Sequence, residues 1–174
     1  FELAMSAKVP LMSLVVATSN TMNLKNIRMT THDSVSVSKD VLKAAKKQGA
    51  NVQAYVATAW ACPFEGKVSA DSVFSITEQL LQAGASSIVI ADTIGAANPL
   101  EVNQLMEAMA SRFDLSQLSC HFHDTRAMGL ANVYAAISAG VRRFDASIAG
   151  LGGCPFAPGA SGNVATEDVV MMVQ

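Results

Sequence analysis

This chain of 174 residues has little charge, few aromatics and few cysteines, and each shortage excludes something. Asp, Glu, Lys and Arg make up 15%, with a net charge of −2. Nothing in that balance suggests a surface for nucleic acid or an anionic membrane. Apolar runs such as Leu11–Ala17 fall far short of the ~20 residues of a membrane helix. The start, Phe-Glu-Leu-Ala-Met, has neither a basic segment nor a long apolar stretch, so no signal peptide is expected. It also lacks an initiator Met, and a fragment of something longer is expected. The three cysteines, Cys62, Cys120 and Cys154, form no CxxC motif and are odd in number. Free thiols in a reducing compartment fit better than a disulfide framework.

What is present is a repeated order of apolar strand, polar loop and amphipathic helix. Leu11–Ala17 reads as a buried strand, followed by a polar connection from Thr18 to Thr31. Val35 to Lys47 has helical spacing, with lysines in its last turns and Gly49 as its stop. Asn51–Thr58 is the next strand, with Val52, Ala54 and Val56 on one face and Tyr55 on the other. Ser69 caps a helix to Ala83; Ser87–Ala91 is a β-branched strand; Asn98 and Pro99 open a helix to about Phe113. Leu118–His123 is a fourth strand, Leu130–Ala139 a helix, and Phe144–Ile148 a fifth strand. A glycine-rich loop, 150–163, then precedes a helix that starts at Thr166.

Strict alternation of strand and helix predicts a parallel sheet flanked by helices. An open doubly wound sheet and a (β/α)8 barrel both satisfy it. No Gly-x-Gly-x-x-Gly follows the first strand, which weighs against a dinucleotide fold. The polar residues suited to chemistry (Ser19, Asp92, Thr93, His121, His123, Asn163) follow strand C-termini, which converge on one face of a barrel. Five units cannot close eight strands. The expectation is an α/β chain forming a partial TIM barrel that lacks the N-terminal strands, with residues 1–174 the C-terminal portion of one catalytic domain.

His121 and His123 organise the site. At i and i+2 on a strand their imidazoles share a face, a compact platform for a divalent metal. Asn163 can add an amide oxygen, and mixed N/O ligation suits Mg2+ or Mn2+, and Zn2+ less clearly. Cys154, in Gly-Leu-Gly-Gly-Cys-Pro, sits where a mobile lid could bring a thiol to substrate for proton transfer or nucleophilic attack. Asp92 and Thr93 can orient a ligand histidine or bind substrate, and Asp124 is expected just outside the ligands. Cys62 and Cys120 read as packing residues and His32 as a solvated cap.

Several stretches together resemble 3-hydroxy-3-methylglutaryl-CoA lyases: Cys62-Pro-Phe-Glu-Gly-Lys67, Asp92-Thr-Ile-Gly95, His121-Phe-His-Asp-Thr125, and above all Ala149 to Asn163 with Ala165-Thr-Glu-Asp168. Lys25-Asn-Ile27 resembles an earlier loop of the family. The resemblance implies a metal-dependent lyase that splits 3-hydroxy-3-methylglutaryl-CoA into acetyl-CoA and acetoacetate. It implies His121, His123 and Asn163 as metal ligands, Cys154 as the catalytic loop cysteine, an acyl-CoA substrate and a homo-oligomer, dimer or higher. The compartment would be cytoplasmic in a bacterium, and otherwise the mitochondrial or peroxisomal matrix. The family's remaining ligand Asp and a catalytic Arg lie on a first barrel strand that this chain does not contain, so the chain alone is expected to be inactive.

The sequence departs from that pattern at Thr18-Ser19-Asn20, at Val89-Ile90-Ala91 and at Arg126-Ala127, all near the expected active face. Arg126 adds a cation there, available to a substrate carboxylate or a CoA phosphate. A related acyl-CoA lyase, a Claisen-type synthase and a non-catalytic metal- or CoA-binding homologue are the alternatives. A pyruvate carboxyltransferase would need an active-site Lys, and no strand end carries one.

Overall fold

The computed structural model describes residues 1–153 and 162–174. Its elements, in order, are α1 (Glu2–Ser6), β1 (Met12–Ala17), α2 (Asn20–Ile27), α3 (Thr31–Lys47), β2 (Val52–Ala57), β3 (Ala61–Cys62), β4 (Gly66–Lys67), α4 (Ala70–Ala83), β5 (Ser87–Asp92), α5 (Pro99–Ala110), β6 (Leu118–Phe122), α6 (Gly129–Ser138), β7 (Phe144–Asp145) and α7 (Thr166–Val173). Five strands form one sheet in the order β1-β2-β5-β6-β7, all neighbours parallel. β3 and β4 make a small antiparallel hairpin. The fold is α/β, with the parallel strands of part of a (β/α)8 barrel. Among the described residues no helix is long and apolar enough to cross a membrane.

The two faces of the sheet differ because side chains alternate along a strand. Val16, Val52, Ala54, Val56, Ile88, Ile90, Leu118, Cys120 and Phe122 are buried in one core with α3, α4, α5 and α6. Removing a side chain such as Phe122 or Ile90 from water contributes about 1.5–3 kcal/mol each. The opposite face carries Ser13, Gln53, Tyr55, Val89, Ser119, His121 and Asp145 in matching register. The polar face is the inner face of the barrel, and it holds the candidate chemistry.

The helix caps read from sequence are present: Ser69 Oγ accepts from Ser72 N and Asn98 Oδ1 from Glu101 N, with Pro99 opening α5. Four expectations need correction. The stretch 18–31, expected as a polar connection, contains α2. Its stabilisation is tertiary: buried Asn23 bonds both the N–H and the carbonyl of Ala17, and Glu65 accepts from Thr21 N. α3 starts earlier than its apolar stripe, at Thr31, because Thr30 caps Asp33 N. The fourth strand ends at Phe122, and His123 bridges to Asn163 instead. The fifth strand is only Phe144–Asp145, since Ser147 pairs with the returning Ala165.

Candidate metal centre at the strand ends

The chain beyond the glycine-rich loop returns between two strand ends. Val164 N bonds Phe122 O, Asp124 N bonds Gly162 O, Ser147 N bonds Val164 O and Thr166 N bonds Ser147 O. Residues 162–166 therefore run as an extended ribbon alongside the ends of β6 and β7, and Asn163 pairs opposite His123. Gly162 is required there: a Cβ would lie 1.7 Å from the Gly150 carbonyl oxygen. The backbones could not cross with any other residue.

His121 and His123 have ring centroids 5.1 Å apart in an edge-on arrangement. Asn163 Nδ2 donates to Leu151 O at 2.7 Å and to Ser147 Oγ at 3.4 Å, which orients the amide. The expected ligands are thus brought together from β6 and the returning ribbon. Two imidazoles and an amide oxygen fit a divalent cation and leave positions of an octahedral shell to other donors. Among the described residues no group of three or more His, Cys, Asp or Glu gathers to hold a metal.

Two residues that the sequence did not point to lie beside this pair. Asp145 Oδ1 is 2.5 Å from His121 Nδ1, and Tyr55 donates its hydroxyl to Asp145 Oδ2 at 2.5 Å. Burial acts to raise the Asp145 carboxyl, but the hydrogen bond and charge of His121 and the bond from Tyr55 outweigh it and hold it below its usual range. Burial, then the bond to and charge of Asp145, push the Tyr55 phenol up. Both residues are spaced on inward positions, but neither falls in a recognisable motif, and only the register of β2, β6 and β7 joins them.

Asp92 is buried, and its oxygens accept from Ala96 N and Ala97 N at 2.9 and 3.0 Å. Burial raises its carboxyl; the two amides and the charges of His123 and Arg126 oppose that. Thr93 Oγ1 accepts from Thr58 N at 2.8 Å, tying β5 to the end of β2. Asp92 and Thr93 both brace the strand-end loops, with Asp92 near enough to His123 for their charges to interact. Arg126 Nη1 donates to Gly95 O at 2.7 Å, so this cation bridges the loops after β5 and β6. Asp124, expected just outside the ligands, accepts from Gly129 N at 2.7 Å and so anchors the start of α6. Cys154 lies outside the described residues. Cys62 and Cys120 are buried as expected, Cys62 accepting from Ser19 Oγ, and His32 is exposed.

Comparison with known proteins places the chain among relatives. A hydroxymethylglutaryl-CoA lyase of Bacillus subtilis is 44% identical over 91% of this chain and 53% of its own length. A 3-hydroxy-3-isohexenylglutaryl-CoA/hydroxymethylglutaryl-CoA lyase of Pseudomonas aeruginosa is 38% identical over 99% of this chain and 58% of its own. The solved structure of an HMG-CoA lyase from Acinetobacter baumannii, in complex with coenzyme A and 3-methylmalate, superimposes with a TM-score of 0.92 at 46% identity, covering 97% of this chain and 55% of that one. The chain spans about half the length of the curated relatives it matches. The HMGL-like family model matches residues 1–174, and that family is one of divalent-metal-dependent lyases. With a family match along the whole chain and lyase relatives at 38–44% identity, this chain belongs to the HMGL-like family.

Proposed function

We propose that the protein to which this chain belongs cleaves 3-hydroxy-3-methylglutaryl-CoA to acetyl-CoA and acetoacetate, with Mg2+ or Mn2+ held by His121, His123 and Asn163. The observation that carries the reading is the juxtaposition of the two imidazoles, 5.1 Å apart, with Asn163 bridged to His123. Relatives named as lyases for this substrate support it. A bound divalent cation would supply positive charge against substrate oxygens as charge develops during C–C cleavage.

The chain's own residues do the rest. Asp92 and Thr93, braced by backbone amides, hold the loop after β5 beside His123. Cys154, whose place in the sequence matches the family's loop cysteine, is the proton donor to the enolate carbon of the departing acetyl-CoA. In this reading the chain is the C-terminal portion of one barrel domain; that it spans about half of its relatives' length supports its being a part of one. The compartment follows the source, cytoplasmic in a bacterium and otherwise the mitochondrial or peroxisomal matrix. Assembly as a homo-oligomer is part of the same reading, and light scattering of a monomer would end it.

The test is acetyl-CoA release from 3-hydroxy-3-methylglutaryl-CoA by the full-length protein, with Mg2+ or Mn2+ and with a chelator. Release that the chelator abolishes is expected. Metal binding without release would overturn the substrate and turn the search to a larger acyl group, the chemistry printed in the name of the Pseudomonas relative.

A further inference from the structure

Tyr55 and His121 stand on strands that are not neighbours. β5 lies between β2 and β6, and at about 4.8 Å per strand their backbones are about 10 Å apart. The inward residues of β5 at this level are Val89, in register with Tyr55, and Ala91, in register with His121. Both are short, so the phenol can lie across β5. It reaches Asp145 on β7, the neighbour of His121 in register.

The hydrogen bonds have one consistent assignment. The Asp145 carboxylate has only acceptors to offer. Its Oδ2 receives the Tyr55 hydroxyl, and its Oδ1 faces His121 Nδ1. Nδ1 must then carry the hydrogen, which places the lone pair of the neutral ring on Nε2, the nitrogen left to meet a cation. With both oxygens engaged, the carboxylate cannot rotate away from the imidazole without breaking a bond to the phenol.

We propose that Tyr55 and Asp145 are positioning residues for the metal centre: they fix His121 in the Nδ1–H tautomer and aim its Nε2, so that cation affinity depends on a phenol two strands away. The proposal rests on the metal-site reading given above. Partners of this kind behind a ligand histidine change metal affinity about 10- to 100-fold.

Two measurements on the full-length protein test it. Mn2+ binding is followed by the electron paramagnetic resonance of the free ion, and the His121 tautomer by nitrogen-15 NMR of the metal-free protein. Asp145→Ala should weaken Mn2+ binding about 10- to 100-fold and shift His121 away from the Nδ1–H form. Asp145→Asn, whose amide oxygen can still accept from Nδ1, should restore the tautomer and part of the affinity. Tyr55→Phe removes one oxygen and should weaken Mn2+ binding about 10-fold; it carries the test if Asp145→Ala does not fold. Wild-type affinity and tautomer in both Tyr55→Phe and Asp145→Ala would overturn the proposal. His121→Ala separates the two ideas. If it loses Mn2+ while those variants keep it, only the positioning role fails; if it binds like wild type, the metal-site reading fails as well.

Discussion

Asn132 of α6 offers the sharpest test of how the loop after β5 is held. Its side chain is fully buried, and Nδ2 donates to Ala97 O at 3.0 Å, while Oδ1 has no protein partner among the described residues. Ala97 is itself buried, and its N–H serves Asp92. Asn132→Ala would leave the Ala97 carbonyl without a donor, costing about 1–3 kcal/mol, and would open a small void costing about 1 kcal/mol. Removing the unpartnered Oδ1 offsets part of that. The net loss should be about 2 kcal/mol, a factor of ~30 in the folded-to-unfolded ratio. Asn132→Asp keeps the volume but sets an acceptor against an acceptor, and should cost about 3 kcal/mol or more. Burial would raise that carboxyl in the folded state. The unfolded chain would then release its proton first as pH rises, and the deficit would grow from about pH 4 up to the raised value and stay level beyond it. Urea unfolding of the full-length protein at mildly acid and neutral pH reads both effects. An Asn132→Ala protein within ~0.5 kcal/mol of wild type, or an Asn132→Asp deficit that does not change with pH, would refute the reasoning.

Three further outcomes are expected. Gly95 has φ +60 and a Cβ there would lie 2.6 Å from Thr125 Oγ1; Gly95→Ala should lower stability by about 2 kcal/mol or more, read as a fall in thermal midpoint. Burial, then the charge of Asp145, push the Cys120 thiol well above its ordinary value; iodoacetamide should label Cys120 only after urea unfolds the protein, as peptide mapping would reveal. Glu167 accepts from Ala149 N with both oxygens, at 2.8 and 3.1 Å, and so ties α7 to the turn before the glycine-rich loop. Glu167→Ala should speed amide exchange at Ala149 at least 10-fold, and protection unchanged from wild type would rule that tie out.

The sequence by itself determined the alternation of strands and helices, the inward spacing of His121 and His123 and the caps at Ser69 and Asn98. Each depends on residues close together in the chain: period two on a strand, a side chain reaching an amide three residues on. The family was legible for a similar reason, since its motifs are short and contiguous. Where local signals were weak, tertiary contacts decided. α2 has no strong apolar stripe and is held by its own Asn23, which bonds Ala17 of β1, and by Glu65 from the β3–β4 hairpin. The expected fifth strand was cut short because Ser147 found a partner in Ala165. The surroundings of His121 are the clearest case. Tyr55, Asp145 and His121 lie on three strands, and a hydrogen-bond chain across a parallel sheet is set by strand order and register, which no stretch of sequence encodes locally.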